Sequence, residues 1–262
     1  MAVKALFIGD IVGKTGRSAV KALLPHLVDK YKIDFVAANG ENIAGGFGLT
    51  EPLVQETFKA GVHVITTGNH VWDKKDFVNY IGKDNRVLRP LNYPSGVPGF
   101  GSVVYPLPGG LKVGVINLMG RVFMSTLNCP FRTAKAEVEA LARETNIIIV
   151  DFHAEATSEK IALGYYLDGM VSALIGTHTH VQTADEKVLP NGTAYITDVG
   201  MTGPAHSVIG IEIEQIINRF LTSMPAKFET AHGEGIFSAV VIEIQQDTGK
   251  ATGVHRLQLT YP

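Results

Sequence analysis

Residues 4–18 read KALFIGDIVGKTGRS, and two structures compete for them. An apolar run at 5–8 leads into glycines, a lysine and a hydroxyl residue. Residues 15–32 then carry Val20, Leu23, Leu24, Leu27 and Val28 at helical spacing. Strand, glycine loop and helix in that order can cradle a nucleoside triphosphate. A Walker A loop, however, is G-x-x-x-x-G-K-[ST], and Gly9 and Gly13 enclose only three residues. Its backbone N–H groups must wrap an anion, so the length is not free. Asp10 also sets a carboxylate beside the phosphates, which repels them unless a cation intervenes. The stretch therefore reads as a first buried strand that ends on an acidic residue. Lys14 and Thr15 become helix-start residues without assigned chemistry.

The same alternation continues along the chain. Strands are expected at 3–8, 35–38 and 62–66, and helices at 15–32, 51–60 and 73–81, the β-α-β-α-β order of a largely parallel sheet. Later, Pro108-Gly109-Gly110 joins 102–105 to 112–117 as a hairpin. Further elements are a helix at 134–144, strands at 147–151 and 171–175, and a hairpin within 188–196 around Pro190-Asn191-Gly192. A helix at 209–221 and a hairpin of 236–245 with 253–260 complete the chain. Early parallel units and late hairpins predict an α/β fold of two sheets packed face to face, with helices outside. No linker, low-complexity tract or internal repeat divides it, so one domain spanning 1–262 is expected.

Composition narrows the function classes. The 262 residues are 45% hydrophobic and 18% charged with a formal net charge of −2, a globular balance without the basic excess of a nucleic-acid or membrane-surface binder. The single cysteine, Cys129, excludes an intramolecular disulfide and a cysteine-rich zinc site and suits a reducing cytoplasm. No segment approaches the roughly 20 apolar residues of a membrane span. Helices that cover a sheet can offer a face for a homo-oligomer, but nothing selects an oligomeric state.

Polar residues recur where strands end: Gly9-Asp10, Asn39-Gly40-Glu41-Asn42, Gly68-Asn69-His70, Asp151-Phe152-His153 and Gly176-Thr177-His178-Thr179-His180. Open α/β sheets bind ligands at the carboxyl ends of their strands. Taken singly, a Gly-Asp is a turn, Asn69 a cap near Asp73, and His153 a satisfied interior histidine. His178 and His180 are harder to dismiss, because two residues apart in an extended segment they share one face. Together the five form a constellation of carboxylates, imidazoles and amides suited to zinc, manganese or iron. They offer more ligands than one ion requires, as a two-metal site would use.

The order Gly-Asp, Gly-Glu-Asn, Gly-Asn-His, a lone His and Gly-Thr-His-Thr-His resembles the calcineurin-like metallophosphoesterase superfamily. The longer stretches NGENIAGGFGLT and GTHTHVQTADEKVLPNGTAYITDVGMTGP are similar to a bacterial subgroup, the YmdB-like phosphodiesterases. The resemblance implies a four-layer α/β/β/α sandwich with two facing mixed β-sheets, and an enzyme: a metal-dependent phosphoric diester hydrolase acting on cyclic nucleotides, 2′,3′-cyclic before 3′,5′-cyclic, by attack of a metal-bridging hydroxide on phosphorus. It implies two divalent transition-metal ions, iron or manganese, with zinc a third option. Asp10, Glu41 and His180, with Asn42, would hold one ion; Glu41, Asn69, His153 and His178 would hold the other. His70 would be catalytic, donating to the phosphoryl group or the leaving alkoxide.

Departures from the superfamily pattern raise their own questions. Val12 stands where the first motif commonly has histidine, and Glu41 where the second has aspartate. Val71 follows Gly-Asn-His where an acidic residue is common, which leaves the partner of His70 open. Asn42 is a ligand or a substrate contact. Gly46, Phe47 and Arg121 are expected substrate contacts: glycine lets backbone approach closely, Phe47 can stack on a base, and Arg121 can meet phosphate. Two ions bring about +4 against about −3 from Asp10, Glu41 and a hydroxide, a net charge that favours a diester monoanion. The competing readings are a phosphomonoesterase or protein phosphatase of the same superfamily, and a regulatory RNA-associated protein with a non-catalytic metal site.

Overall fold

Alternation within the first strand explains the layers. In the computed structural model, which describes residues 2–262, β1 (Ala2–Ile8) sends Val3, Ala5 and Phe7 into one core and Leu6 and Ile8 into another. Successive strand side chains take opposite faces, so a continuous apolar run is a strand buried on both. After β1 come β2 (Asp10–Ile11), α1 (Gly13–Tyr31), β3 (Phe35–Asn39), α2 (Glu51–Lys59) and β4 (Val64–Thr66). The middle holds β5 (Ser102–Pro106), β6 (Lys112–Met119), α3 (Pro130–Leu141), β7 (Ile148–His153), α4 (Thr157–Tyr166) and β8 (Ala173–Thr177). The remainder is β9 (Lys187–Val188), β10 (Ala194–Ile196), β11 (Met201–Pro204), α5 (Ile213–Thr222), β12 (Gly235–Gln245) and β13 (Ala251–Tyr261).

Seven strands form one mixed sheet in the order β2-β11-β12-β1-β3-β4, with β13 added on β12. Six form the other, β5-β6-β7-β8-β10-β9. Helices α1 and α2 bury Val20, Leu24, Leu27 and Val54 on the first sheet, and α3 and α4 bury Ala134, Val138 and Leu163 on the second. Between the sheets, Phe7, Phe35, Val115, Ile149 and Ile175 share one core. The result is the α/β/β/α sandwich expected. Strands β1, β3 and β4 run parallel, as do β6, β7, β8 and β10, so two sets of carboxyl ends can meet.

Several elements differ from expectation. Residues 73–81 hold a 3-10 turn, Lys75–Asn79, instead of a helix: Phe77 and Tyr80 donate three residues back, to Lys74 and Phe77. Helix α4 was not expected, since TSEKIALGYY has Gly164 in its last turn and little amphipathic contrast. Gly164 is there for packing, because a Cβ would lie 2.7 Å from the Tyr195 ring. Strands β2 and β11, too short to show periodicity, pair with each other. Helix α3 starts and ends earlier than 134–144, and α5 begins at Ile213 and not at 209, with none of its residues buried. Among the described residues, no helix is long and apolar enough to cross a membrane.

Candidate metal centre

The two sheets are joined where their parallel strands end. Thr67, just after β4, donates its N–H to Asn117 of β6 (3.0 Å), and Asn117 returns its amide to the Thr67 carbonyl (2.9 Å). Deeper, the Asp151 carboxylate of β7 accepts from Thr177 (2.7 Å), Asn39 (3.2 Å) and Thr66, drawing β8, β3 and β4 together. Burial pushes the Asp151 carboxyl up to about 7. This polar floor fixes the strand ends that carry the candidate ligands.

Outer hydrogen bonds then set the histidine tautomers. Thr177 Oγ1 gives its proton to Asp151, so it accepts from His153 Nδ1–H at 2.9 Å and leaves Nε2 as a lone pair. His178 Nε2 lies 3.2 Å from Glu155, which directs its Nδ1 lone pair inward. His180 Nδ1 donates to the Ile209 carbonyl at 2.8 Å, leaving Nε2 toward Asp10 Oδ1, 3.8 Å away. Such outer partners are what orient metal-binding imidazoles.

Four acceptors consequently face one another. His153 Nε2 lies 3.0 Å from Glu41 Oε1, 3.0 Å from Asn69 Oδ1 and 3.0 Å from His178 Nδ1. Lone pairs at that spacing repel unless a proton or cation lies between them. Burial alone would lower His153, but the Glu41 carboxylate overrides it and lifts the imidazole to about 9. Burial would raise Glu41, and His153 overrides that, holding it at about 2. Burial, then the neighbouring His153, pushes His178 down to about 3. The field that would hold a proton on His153 suits a divalent cation, and Glu41, His153 and His178 each offer an atom within 4.8 Å of the others. Two further oxygens lie close by: Asp10 Oδ1 is 3.8 Å from His153 Nδ1, and Asn42 borders a cleft with Glu41 and His178. Asp10 Oδ1 and Asn42 Oδ1 are buried with no hydrogen-bond partner, and burial raises the Asp10 carboxyl, offset only in part by His180 and His153. Buried unpartnered oxygens are rare in proteins and fit a cation.

Gly68 keeps space open beside the cluster: a Cβ there would overlap the His153 ring at Nε2 and lie 2.5 Å from Glu41 Oε2. Gly68→Ala is expected to empty the centre of metal with little change in far-UV circular dichroism, read by elemental analysis of the purified variant.

His178 and His180 do not share a face of an extended strand as expected. Both take left-handed backbone, φ 103° and 65°, and the chain bends after β8. Non-glycine residues resist that region by roughly 1–2 kcal/mol each, so the bend must be held. Thr179 N–H donates to Asp198 Oδ2 (2.9 Å) and His178 N–H to Asp10 Oδ2 (3.3 Å). Asp198 is in turn held by Lys160, fully buried on α4, whose Nζ lies 2.8 Å from Asp198 Oδ2 and 2.8 Å from the Thr177 carbonyl. Lys160→Met leaves that carboxylate buried without its cation. A loss of about 3–5 kcal/mol is expected in urea unfolding, with part of it recovered by adding Asp198→Asn. Sequence reading missed both residues. Asp198 follows β10, which the sequence reads as one arm of a hairpin although it also runs parallel to β8, and Lys160 lies in an unexpected helix.

His70 stands apart from the converging atoms. Its N–H donates to Glu41 Oε2 (3.1 Å), and its Nδ1 lies 2.8 Å from Asp73, the partner left open by the missing acidic residue at 71. Phe47 meets the His70 ring edge-on at 5.0 Å. Both border a cleft of about 120 Å³ with Asn42, Gly46, His178 and His180. Asn42 also donates its amide to the Gly46 carbonyl (2.8 Å). Arg121 is exposed on the loop after β6, where its N–H donates to Glu159 (3.1 Å).

With this geometry in place, comparison assigns the family: the family model described as YmdB-like protein matches residues 6–257. The chain belongs to the YmdB-like family. A curated relative, the 2′,3′-cyclic-nucleotide 2′-phosphodiesterase of Bacillus subtilis (strain 168), is 49% identical over 97% of this chain and 96% of its own length. A crystal structure of a novel phosphatase from Mycoplasma pneumoniae superposes with a TM-score of 0.93 at 36% identity, covering 99% of this chain and 94% of that one. A hypothetical protein from Thermus thermophilus gives a TM-score of 0.92 at 42% identity, covering 99% of this chain and 100% of its own. The YmdB-like assignment agrees with the motifs from Asp10 to His180 and with the metallophosphoesterase-type sandwich.

Proposed function

We propose that the protein is a phosphodiesterase that opens 2′,3′-cyclic nucleotides at a two-ion centre. The convergence of Glu41 Oε1, Asn69 Oδ1, His153 Nε2 and His178 Nδ1, a set that must share a proton or a cation, carries this reading. Those four residues would hold one ion. Asp10, Asn42 and His180 would hold the second, with Glu41 shared. Iron or manganese suits this oxygen and nitrogen set, and zinc is compatible with it. Divalent ions so held supply Lewis-acid chemistry, polarising a phosphoryl oxygen and making water nucleophilic near neutral pH.

The chain's own residues supply position and a proton. His70 borders the cleft, and its Nδ1 is bound to Asp73, which leaves Nε2 as its free ring nitrogen. As a water oxygen bonds to phosphorus and the bond to the leaving ribose oxygen breaks, His70 Nε2 gives that leaving oxygen its proton. The name of the Bacillus relative supports the 2′,3′-cyclic substrate and the 2′ oxygen as the leaving group. In solution, a panel of 2′,3′- and 3′,5′-cyclic nucleotides, bis-p-nitrophenyl phosphate and p-nitrophenyl phosphate separates the readings. Preferred turnover of the 2′,3′-cyclic compounds to 3′-nucleotides is expected. Preference for p-nitrophenyl phosphate would mean a monoesterase, and metal binding with no hydrolysis a non-catalytic centre.

A further inference from the structure

A second cleft, of about 410 Å³, lies beside the metal centre, bordered by Asn69, Phe123, Met124, Ser125 and His178. Phe123 is its unusual member. The ring is 90% exposed, and its backbone is left-handed at φ 62°. Exposing a large aromatic ring and forcing a non-glycine residue into that region are both unfavourable, yet the loop that displays it is tied down. Gly120 N–H donates to the His153 carbonyl (3.0 Å), and the nearly buried Glu159 carboxylate takes the N–H groups of Arg121 (3.1 Å) and Val122 (3.2 Å). At the far end Asn92 grips both Met119 and Asn128. The ring is held out by a braced loop and touches no other aromatic ring among the described residues.

We propose that Phe123 is the platform on which the nucleobase of the substrate stacks. This rests on reading the centre as a nucleotide phosphodiesterase and extends it to the part of the substrate remote from phosphorus. The chemistry of the cleft selects a base. Its lining carries no carboxylate, ammonium or guanidinium group, which suits a flat neutral ring and not a phosphate. Met124 adds a polarisable thioether and Ser125 a hydroxyl for the base edge. Two bordering residues, Asn69 and His178, are proposed metal ligands, so a ribose phosphate at the ions can place its base here. The cleft lies within the usual size of small-molecule sites, roughly 300–1,000 Å³. The cleft by Phe47 is about 120 Å³ and that ring already packs on His70, which assigns Phe47 to positioning His70. Stacking is tolerant of base identity, because every base has a π-face.

The test compares adenosine 2′,3′-cyclic phosphate with methyl ribofuranoside 2′,3′-cyclic phosphate, which lacks a base. Phe123→Ala is expected to lower kcat/KM for the adenosine compound roughly 5- to 100-fold, mainly through KM, with a loss at least about fivefold smaller for the baseless one. Phe123→Trp restores the adenosine activity. Equal losses on both compounds, or none on either, would overturn the proposal. A binding arm needs no turnover: Phe123→Trp emission, corrected for Trp72, is quenched by adenosine 3′-phosphate and not by ribose 3-phosphate. If the wild type hydrolyses neither compound, the phosphodiesterase reading falls, and this arm still decides the platform: quenching sustains it and no quenching overturns it.

Discussion

His70→Ala is expected to lower kcat by about 10²–10⁴-fold, the usual range for a positioned acid, while metal content stays near that of the wild type. The reason is geometric. The His70 ring nitrogen that has a partner is bound to Asp73, and its backbone N–H, not its ring, holds Glu41. Removing the ring leaves Glu41 Oε1, Asn69, His153 and His178 in place. Turnover of a diester whose leaving group needs no proton, such as bis-p-nitrophenyl phosphate, falls much less than that of a ribose cyclic phosphate. Elemental analysis of the purified variant checks the first half, and paired kinetics the second. An empty centre in His70→Ala would show that the ring is a ligand.

His178→Ala is expected to lose both metal and turnover. Its Nδ1 is one of the four converging acceptors, 3.0 Å from His153 Nε2. Without it a buried site keeps Glu41 and His153 but loses a nitrogen that burial holds neutral and ready to ligate. Losing an ion forfeits several kcal/mol of transition-state charge stabilisation, roughly a 10³-fold fall or more. Stability of the metal-free protein responds much less. Without metal the His178 Nδ1 faces another ring nitrogen 3.0 Å away, so unfolding measured without metal should show little loss when the imidazole is removed, while the wild type alone gains stability when metal is added. An unchanged metal content in His178→Ala would remove this residue from the centre.

How much of this was legible in the sequence depends on what each residue answers to. Strands β1, β3, β7 and β8 are continuous apolar runs with polar residues at their ends, so both the strands and the candidate ligand positions could be read from local pattern. Asp10, Glu41, Asn69, His153, His178 and His180 were named for that reason, and the structure brings them to one place. Features set by tertiary contact were not legible. The bend at His178 and His180 is imposed by Asp198, from a later part of the chain, and by Lys160, on an unforeseen helix. Phe123 carries no signal in the sequence; only its exposure and the bracing by Glu159 and Asn92 mark it.

The proposed two-ion phosphodiesterase centre makes a stoichiometric demand. Its most direct test is a titration of metal-free protein with manganese while hydrolysis of adenosine 2′,3′-cyclic phosphate is followed. Two ions predict no turnover without metal and a rise that levels off at about two equivalents per chain. A plateau at one equivalent, or turnover that persists in the metal-free protein, would contradict it.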